Sequence, residues 1–125
     1  MRILVAEDES LVAMGLSYQL SRLGHTVVAS ARTAEVAVHM AERLRPELVI
    51  MDVRMPEMGG VEAAKKILKK LATPVILITG FPNETLRSQS QALGLVCLAK
   101  PVGDTELSRA ISDLGVPRGG VETAS

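Results

Sequence analysis

The chain lacks most of the features that mark specialised protein classes. Its single cysteine, Cys97, excludes an internal disulfide and fits a reducing compartment. Its 14 basic residues balance its 14 acidic ones, so net charge does not draw it to nucleic acid or to an anionic membrane. No apolar run approaches the roughly 20 residues that span a bilayer, and no signal-peptide pattern opens the sequence. We therefore expect a cytoplasmic protein without direct nucleic-acid or membrane contact.

Two further absences narrow the possible functions. The sequence has no glycine-rich dinucleotide fingerprint and no P-loop. No basic helix-turn-helix segment follows residue 115, which argues against DNA binding. At 125 residues and 47% hydrophobic composition, the chain fits one globular domain. We expect residues 1–115 to form that domain and residues 116–125, which contain proline, glycine and serine, to be a flexible tail or linker.

Short apolar runs alternate with helical segments along the chain. The runs are rich in valine, isoleucine and leucine and show little polar alternation, as expected for strands buried on both faces of a parallel sheet. They are Ile3–Ala6, Val27–Ala29, Leu48–Met51, Val75–Ile78 and Leu95–Ala99. Five strand-then-helix repeats predict an α/β fold, a doubly wound five-stranded parallel sheet with five helices in three layers.

The helical segments differ in how much they can bury. The second, which begins after Thr33 as N-cap, is predicted to place Val36, Met40 and Leu44 together before Pro46 stops it. The fourth, from Asn83 to Leu93, offers only three apolar anchors, namely Leu86, Ala92 and Leu93. We therefore expect the fourth helix to be the least firmly packed.

Polar side chains follow four of the predicted strands. Glu7, Asp8 and Glu9 follow the first, Asp52 the third, Thr79 and Gly80 the fourth, and Lys100 the fifth. Since function in an open parallel sheet lies beyond the carboxyl ends of the strands, these groups should converge. Clustered carboxylates repel one another, and oxygen ligands suit magnesium, which would relieve that repulsion. With Lys100 and the Thr79 hydroxyl, such a site can hold a phosphoryl group on one carboxylate.

These motifs resemble those of response-regulator receiver domains, whose fold is flavodoxin-like. The resemblance covers residues 2–115 and rests on four motifs in order: Glu7-Asp8-Glu9, Met51 to Pro56 with Gly60, Ile78-Thr79-Gly80, and Lys100-Pro101. It implies a phospho-accepting regulatory domain of a two-component system rather than an enzyme with its own substrate. A sensor histidine kinase or phosphotransfer protein would donate the phosphoryl group. A downstream effector domain or protein would receive the signal, and a homodimer is a further option.

The resemblance also implies a role for each residue. Asp52 would be the phospho-acceptor, and Lys100, Thr79 and Gly80 would bind the phosphoryl group. Asp8, Asp52 and the backbone carbonyl of Arg54 would ligate Mg²⁺ directly, while Glu7 would act through a water molecule. The Lys100-Pro101 peptide bond would be cis, and the output surface would comprise the fourth helix, fifth strand and fifth helix.

This sequence departs from the usual receiver pattern at three positions. Glu7 stands where aspartate is commoner, Gly80 replaces alanine, and Cys97 occupies the place of an aromatic switch residue. A switch based on an aromatic rotamer at residue 97 is therefore excluded, although Phe81, two residues past Thr79, could supply a displaced aromatic. Arg54 and Phe81 occupy the positions that tune phosphoryl lifetime in the family.

Two alternative functions compete with this interpretation. A phosphatase of the haloacid dehalogenase type carries a second aspartate two residues after its nucleophile, but Arg54 occupies that position here. A receiver-like binding module that works without phosphorylation stays open, because Glu7, Gly80 and Cys97 are the residues on which it would rest. Metal affinity discriminates between this module and a phospho-acceptor.

Overall fold

Five strands alternate with five helices along the described part of the chain. The structure, a computed structural model, describes residues 1–115, and the predicted tail at 116–125 lies outside this range. The elements are β1 (Arg2–Ala6), α1 (Ser10–Arg22), β2 (Thr26–Ala31), α2 (Ala34–Leu44), β3 (Leu48–Asp52), α3 (Gly60–Leu71), β4 (Val75–Thr79), α4 (Glu84–Leu93), β5 (Val96–Ala99) and α5 (Asp104–Gly115). This element order confirms the predicted fold class.

All strand pairs are parallel, and the sheet order is β2-β1-β3-β4-β5. The chain first moves outward from β1 to β2 and then returns to place β3 on the other side of β1. This reversal creates a switch point between the carboxyl ends of β1 and β3, where open α/β sheets bind their ligands. The topology therefore predicts a ligand site at the carboxyl ends of β1 and β3, near Ala6 and Asp52.

The side chains of the inner strands alternate between two apolar clusters. Leu4, Val49 and Leu77 face the cluster that α2 and α3 cover, whereas Ile3 and Ile50 face the one that α1 and α5 cover. Both faces of β1, β3 and β4 are thus buried, which is why these strands read as continuous apolar runs. The sheet lies between two helical layers, as the three-layer prediction required.

Local capping accounts for where α2 begins and ends. The Thr33 hydroxyl accepts a hydrogen bond from the Val36 amide at 3.1 Å, as an N-cap residue should. At the other end, the Arg2 guanidinium donates to the carbonyl oxygens of Leu44 and Arg45, both at 2.9 Å. The first residue of β1 therefore satisfies carbonyls that the end of this helix leaves free.

The inward face of α2 is mostly alanine. The helix buries Ala34, Ala37, Val38 and Ala41, while Val36 is 41% exposed. Of the residues that the sequence places together, Val36 thus lies outside the core, whereas Met40 is partly buried and packs against it. The strand β2 is also only partly buried, because it forms an edge of the sheet.

Helix α4 is sparsely anchored. It buries two side chains, Leu86 and Ser90, whereas α2 buries four and α3 buries three. Ala92 is exposed, contrary to prediction, and Ser90 takes the inward position one turn after Leu86. The Ser90 hydroxyl is satisfied there by the Leu86 carbonyl at 2.9 Å. With so little apolar area buried, α4 has less packing energy to hold it in one position.

Candidate functional site

Strand register brings the predicted site residues together. Ala6 pairs with Met51, so Glu7 and Asp52 lie side by side just beyond the pair. Asp52 pairs with Ile78 and Thr79 pairs with Ala99, which brings Thr79 and Lys100 to the same edge. Residues from four strands therefore converge because their strands end at similar heights in one parallel sheet.

Lys100 links the two buried carboxylates of the site. Its Nζ donates to Glu7 Oε1 at 2.7 Å and to Asp52 Oδ2 at 3.1 Å. Glu7 and Asp52 are almost fully buried, and both therefore require a partner for their charge. The ammonium group supplies it for both carboxylates at once.

The carboxylates also keep the lysine charged. Burial by itself lowers the pKa of the Lys100 ammonium, but the hydrogen bonds to Glu7 and Asp52 outweigh this effect and raise the pKa above its ordinary value. Lys100 is therefore a permanent positive charge next to Asp52 at neutral pH. Such a charge is suited to stabilising additional negative charge on the Asp52 side chain.

Three carboxylates lie close enough to share one cation. Oxygen atoms of Glu7, Asp8 and Asp52 all lie within 4.8 Å of one another. Asp8 is exposed and offers its carboxylate to solvent, whereas Glu7 Oε2 already accepts the Glu9 amide at 3.1 Å. An all-oxygen set that is partly open to water fits magnesium, which retains several water ligands. The residues present therefore fit the predicted metal.

Thr79 is buried at the end of β4, and its hydroxyl is engaged with its own turn. The Thr79 Oγ1 accepts a hydrogen bond from the Phe81 amide at 3.0 Å. Its proton is thus not consumed by this contact and can be donated elsewhere. Gly80 follows in an exposed bend. The Lys100-Pro101 bond is cis, as predicted.

One contact at the mouth of the site was missed by sequence reasoning. The Arg54 guanidinium lies over the Phe81 ring, with its carbon 4.7 Å from the ring centroid. Arg54 follows Asp52 by two residues and Phe81 follows Thr79 by two, but no local pattern in the sequence signals that they touch. Arg54 also donates its amide to Asp52 Oδ1 at 3.3 Å, whereas its predicted role as a carbonyl ligand stays a prediction.

Cys97 lies half-buried in β5 beside α4. Burial raises the pKa of its thiol, and a hydrogen bond with Ser90 opposes this only in part. A thiol that stays protonated at neutral pH is a poor nucleophile. The structure is consistent with a packing role for this side chain.

Gly60 allows α3 to begin against the backbone at the end of β3. A Cβ atom at this position would lie 2.2 Å from the Asp52 carbonyl oxygen and 2.8 Å from Val53 Cα. The Gly60 amide donates to the Val53 carbonyl at 2.9 Å, which holds the two segments together. The glycine thus permits the close approach that fixes the loop after Asp52.

Comparison with known proteins agrees with this geometry. A family model described as the response regulator receiver domain matches residues 3–112. The chain belongs to this family. The receiver domain is 38% identical over 118 residues to the transcriptional regulatory protein PdtaR of Mycobacterium tuberculosis. That alignment covers 94% of this chain and 57% of PdtaR, so the chain spans little more than half the length of this relative.

Two solved receiver domains have the same fold. The receiver domain of a modulated diguanylate cyclase from Desulfovibrio desulfuricans superimposes with a TM-score of 0.82 at 31% identity, over 89% of this chain and 90% of that one. The receiver domain of NarL from Mycobacterium tuberculosis gives a TM-score of 0.85 at 28% identity, over 94% and 97% of the two chains. Receiver domains are regulatory modules of two-component signalling, and they bind Mg²⁺ at an acidic pocket such as the one formed here by Glu7, Asp8 and Asp52.

Among the helices formed by residues 1–115, none combines the length and apolar character that crossing a bilayer requires.

Proposed function

We propose that Asp52 accepts a phosphoryl group from a phosphohistidine and that the resulting charge switches a protein-interaction surface. The observation that carries this proposal is the buried Asp52 carboxylate held by Lys100 at 3.1 Å, with Glu7 and Asp8 beside it. A carboxylate that is buried, paired with a lysine and adjacent to a cation site is arranged to hold added negative charge. The donor would be a sensor histidine kinase or a phosphotransfer protein.

Each site residue would have a distinct role in the phosphoryl transfer. An Asp52 carboxylate oxygen attacks the phosphorus atom, a new P–O bond forms, and the P–N bond to the imidazole breaks with its electron pair leaving on nitrogen. Lys100 neutralises charge on the transferred group, and the Thr79 hydroxyl supplies a hydrogen-bond donor. Gly80, the next residue, would also bind the group. Asp8, Asp52 and the Arg54 carbonyl would hold Mg²⁺, with Glu7 acting through water. When bound, Mg²⁺ would offset the charge of the phosphoryl oxygens.

The direct test uses the protein with Mg²⁺ and a small phosphodonor. We expect intact-mass measurement to show one covalently added phosphoryl group that is labile to base, as an acyl phosphate is. Chelation of Mg²⁺ should prevent the addition. If neither a phosphodonor nor beryllofluoride changes the mass or the amide chemical shifts, the proposal fails and the module that works without phosphorylation is favoured.

Magnesium affinity should depend on Asp8 more than on Glu7. Both carboxylate oxygens of Glu7 are occupied, by Lys100 and by the Glu9 amide, whereas Asp8 is exposed. Since outer partners of a metal site contribute about 10- to 100-fold to affinity, Glu7→Gln should fall within that range and Asp8→Asn should lose more. Amide chemical shifts during a Mg²⁺ titration measure both. Equal losses, or no binding by the wild type, would contradict this assignment.

We further propose that α4, β5 and α5 form the output surface and that residues 1–115 form the receiver domain. The sparse anchoring of α4 supports two arrangements that are close in free energy, which a population shift requires. The partner would be an effector domain or protein, or a second copy of the chain.

Hydrogen exchange tests the output surface. In the free protein, amides of α4 should exchange faster than those of α3, because α4 buries fewer side chains. On addition of Mg²⁺ and beryllofluoride, the largest change in protection should fall in α4 and the start of β5. Helix α3 is the internal control, and a change confined to α3 would exclude this surface.

A further inference from the structure

Apart from its histidines, the chain has only two aromatic residues, and neither contributes its ring to the core. Tyr18 is 70% exposed and Phe81 is 65% exposed. Each ring lies beneath an arginine, with the Arg22 guanidinium carbon 5.8 Å from the Tyr18 centroid and that of Arg54 4.7 Å from Phe81. A phenylalanine kept largely in solvent contributes little to stability through burial. The position of the Phe81 ring is therefore explained by its contact with Arg54 rather than by packing.

The Arg54–Phe81 contact connects the two loops that border the phospho-acceptor. Arg54 lies in the loop after β3, and its amide donates to Asp52 Oδ1 at 3.3 Å. Phe81 lies in the loop after β4, and its amide donates to Thr79 Oγ1 at 3.0 Å. A continuous series of contacts thus runs from Asp52 through Arg54 and Phe81 to Thr79.

The guanidinium of Arg54 has no carboxylate partner of its own in this state. Among residues 1–115, the ion pairs that lie within 4.0 Å do not include Arg54. Asp52, only two residues away, is paired with Lys100 instead. A free guanidinium near the acceptor would be drawn to a phosphoryl group, because its planar donors match phosphate oxygens in pairs.

We propose that the Arg54–Phe81 pair is a latch that holds the unphosphorylated state and weakens phosphoryl binding at Asp52. This proposal rests on the proposed function and identifies two residues that regulate it. The phosphoryl group and the Phe81 ring compete for the Arg54 guanidinium, so the phosphorylated state forms only after the stacking is given up. The same exchange frees the loop that carries the Thr79 hydroxyl. Arg54 and Phe81 act here as positioning residues, and Phe81 acts only through Arg54.

The expected size of the effect follows from the strength of the contact. A cation–π contact at an exposed site changes an equilibrium by about two- to fivefold. A ligand that requires the latch to open binds more weakly by that factor. Removing the ring should therefore tighten binding of a phosphoryl mimic by about two- to fivefold, provided that Arg54 is present.

A double-mutant cycle with beryllofluoride and Mg²⁺ tests the latch. The dissociation constant is measured by amide chemical shifts for the wild type, Phe81→Leu, Arg54→Gln and the double variant; leucine keeps an apolar side chain without the ring. Phe81→Leu should tighten binding in the Arg54 background and leave it unchanged in the Gln background. Tyr18→Leu, which removes the other ring beneath an arginine, is the matched control and should have no effect.

A second readout uses the free protein without metal or mimic. The Phe81 ring current should shift the side-chain protons of Arg54 upfield in the wild type, and this shift should disappear in Phe81→Leu and on saturation with beryllofluoride. An upfield shift that persists in the bound state would overturn the latch. So would a Phe81→Leu effect that is the same in both backgrounds, or weaker binding by Phe81→Leu. Each of these leaves the proposed function intact, whereas failure of the wild type to bind the mimic would refute both.

Discussion

Asp52→Asn should abolish covalent phosphoryl uptake completely while the domain stays folded. The amide oxygen of asparagine is a far weaker nucleophile than a carboxylate, and it carries no charge to ligate Mg²⁺. The side chains have nearly the same shape, so the buried position at the end of β3 accommodates either. Lys100 keeps its 2.7 Å contact with Glu7, which leaves the ammonium paired. Intact-mass measurement after incubation with Mg²⁺ and a phosphodonor gives the result.

Asp113→Asn provides the matched control for this substitution. Asp113 is an exposed aspartate on α5, so the same chemical change is made away from the site. The control should gain one phosphoryl group as the wild type does, and circular dichroism should show the same fold in all three proteins. Uptake of a base-labile phosphoryl group by Asp52→Asn would show that another residue is the acceptor.

Gly60→Ala should destabilise the domain by about 3 kcal/mol, at the upper end of the usual cost of overpacking. The added methyl group would meet main-chain atoms of Asp52 and Val53, at 2.2 and 2.8 Å, and main chain cannot rotate away as a flexible side chain can. Moving Gly60 outward would break its hydrogen bond to the Val53 carbonyl. For a domain of this size the melting temperature should fall by roughly 10–20 °C.

Gly15→Ala is the control for the glycine prediction. Gly15 lies within α1, and a Cβ atom there would have no neighbour within 4 Å. Alanine in a helix interior is favoured over glycine by roughly 0.5–1 kcal/mol, so this variant should melt at a slightly higher temperature than the wild type. Thermal unfolding of both variants in parallel measures the difference. Equal stability of the two would show that the close approach at Gly60 is not a constraint.

The secondary structure was predictable because each element depends mainly on nearby residues. Strands such as β3 and β4 are apolar up to their last residue since both of their faces are buried, and this pattern is visible in the sequence. Thr33 and Pro46 mark the ends of α2 for reasons of local hydrogen bonding and backbone geometry. The order of strands and helices then restricts the fold to a doubly wound sheet.

The choice of buried face was less predictable. In α2 Val38 is buried whereas Val36 is exposed, and in α4 Ser90 rather than Ala92 points inward. Which side of a helix faces the core depends on how closely the neighbouring elements approach. That distance is a property of the whole packing, so hydrophobicity by itself did not identify the inward residues.

The residues that form the site could be predicted from the order of the strands, but the contacts between their side chains could not. Asp8, Asp52, Thr79 and Lys100 each lie at or just past the end of a strand, and parallel strands bring such residues to one edge. Only the tertiary structure decided that Lys100 bridges Glu7 and Asp52, and that Arg54 lies over Phe81. These contacts join residues that are distant in sequence, and they depend on strand register and loop conformation. Local patterns constrain the chain over a few residues, whereas such contacts are set by the packing of all the elements together.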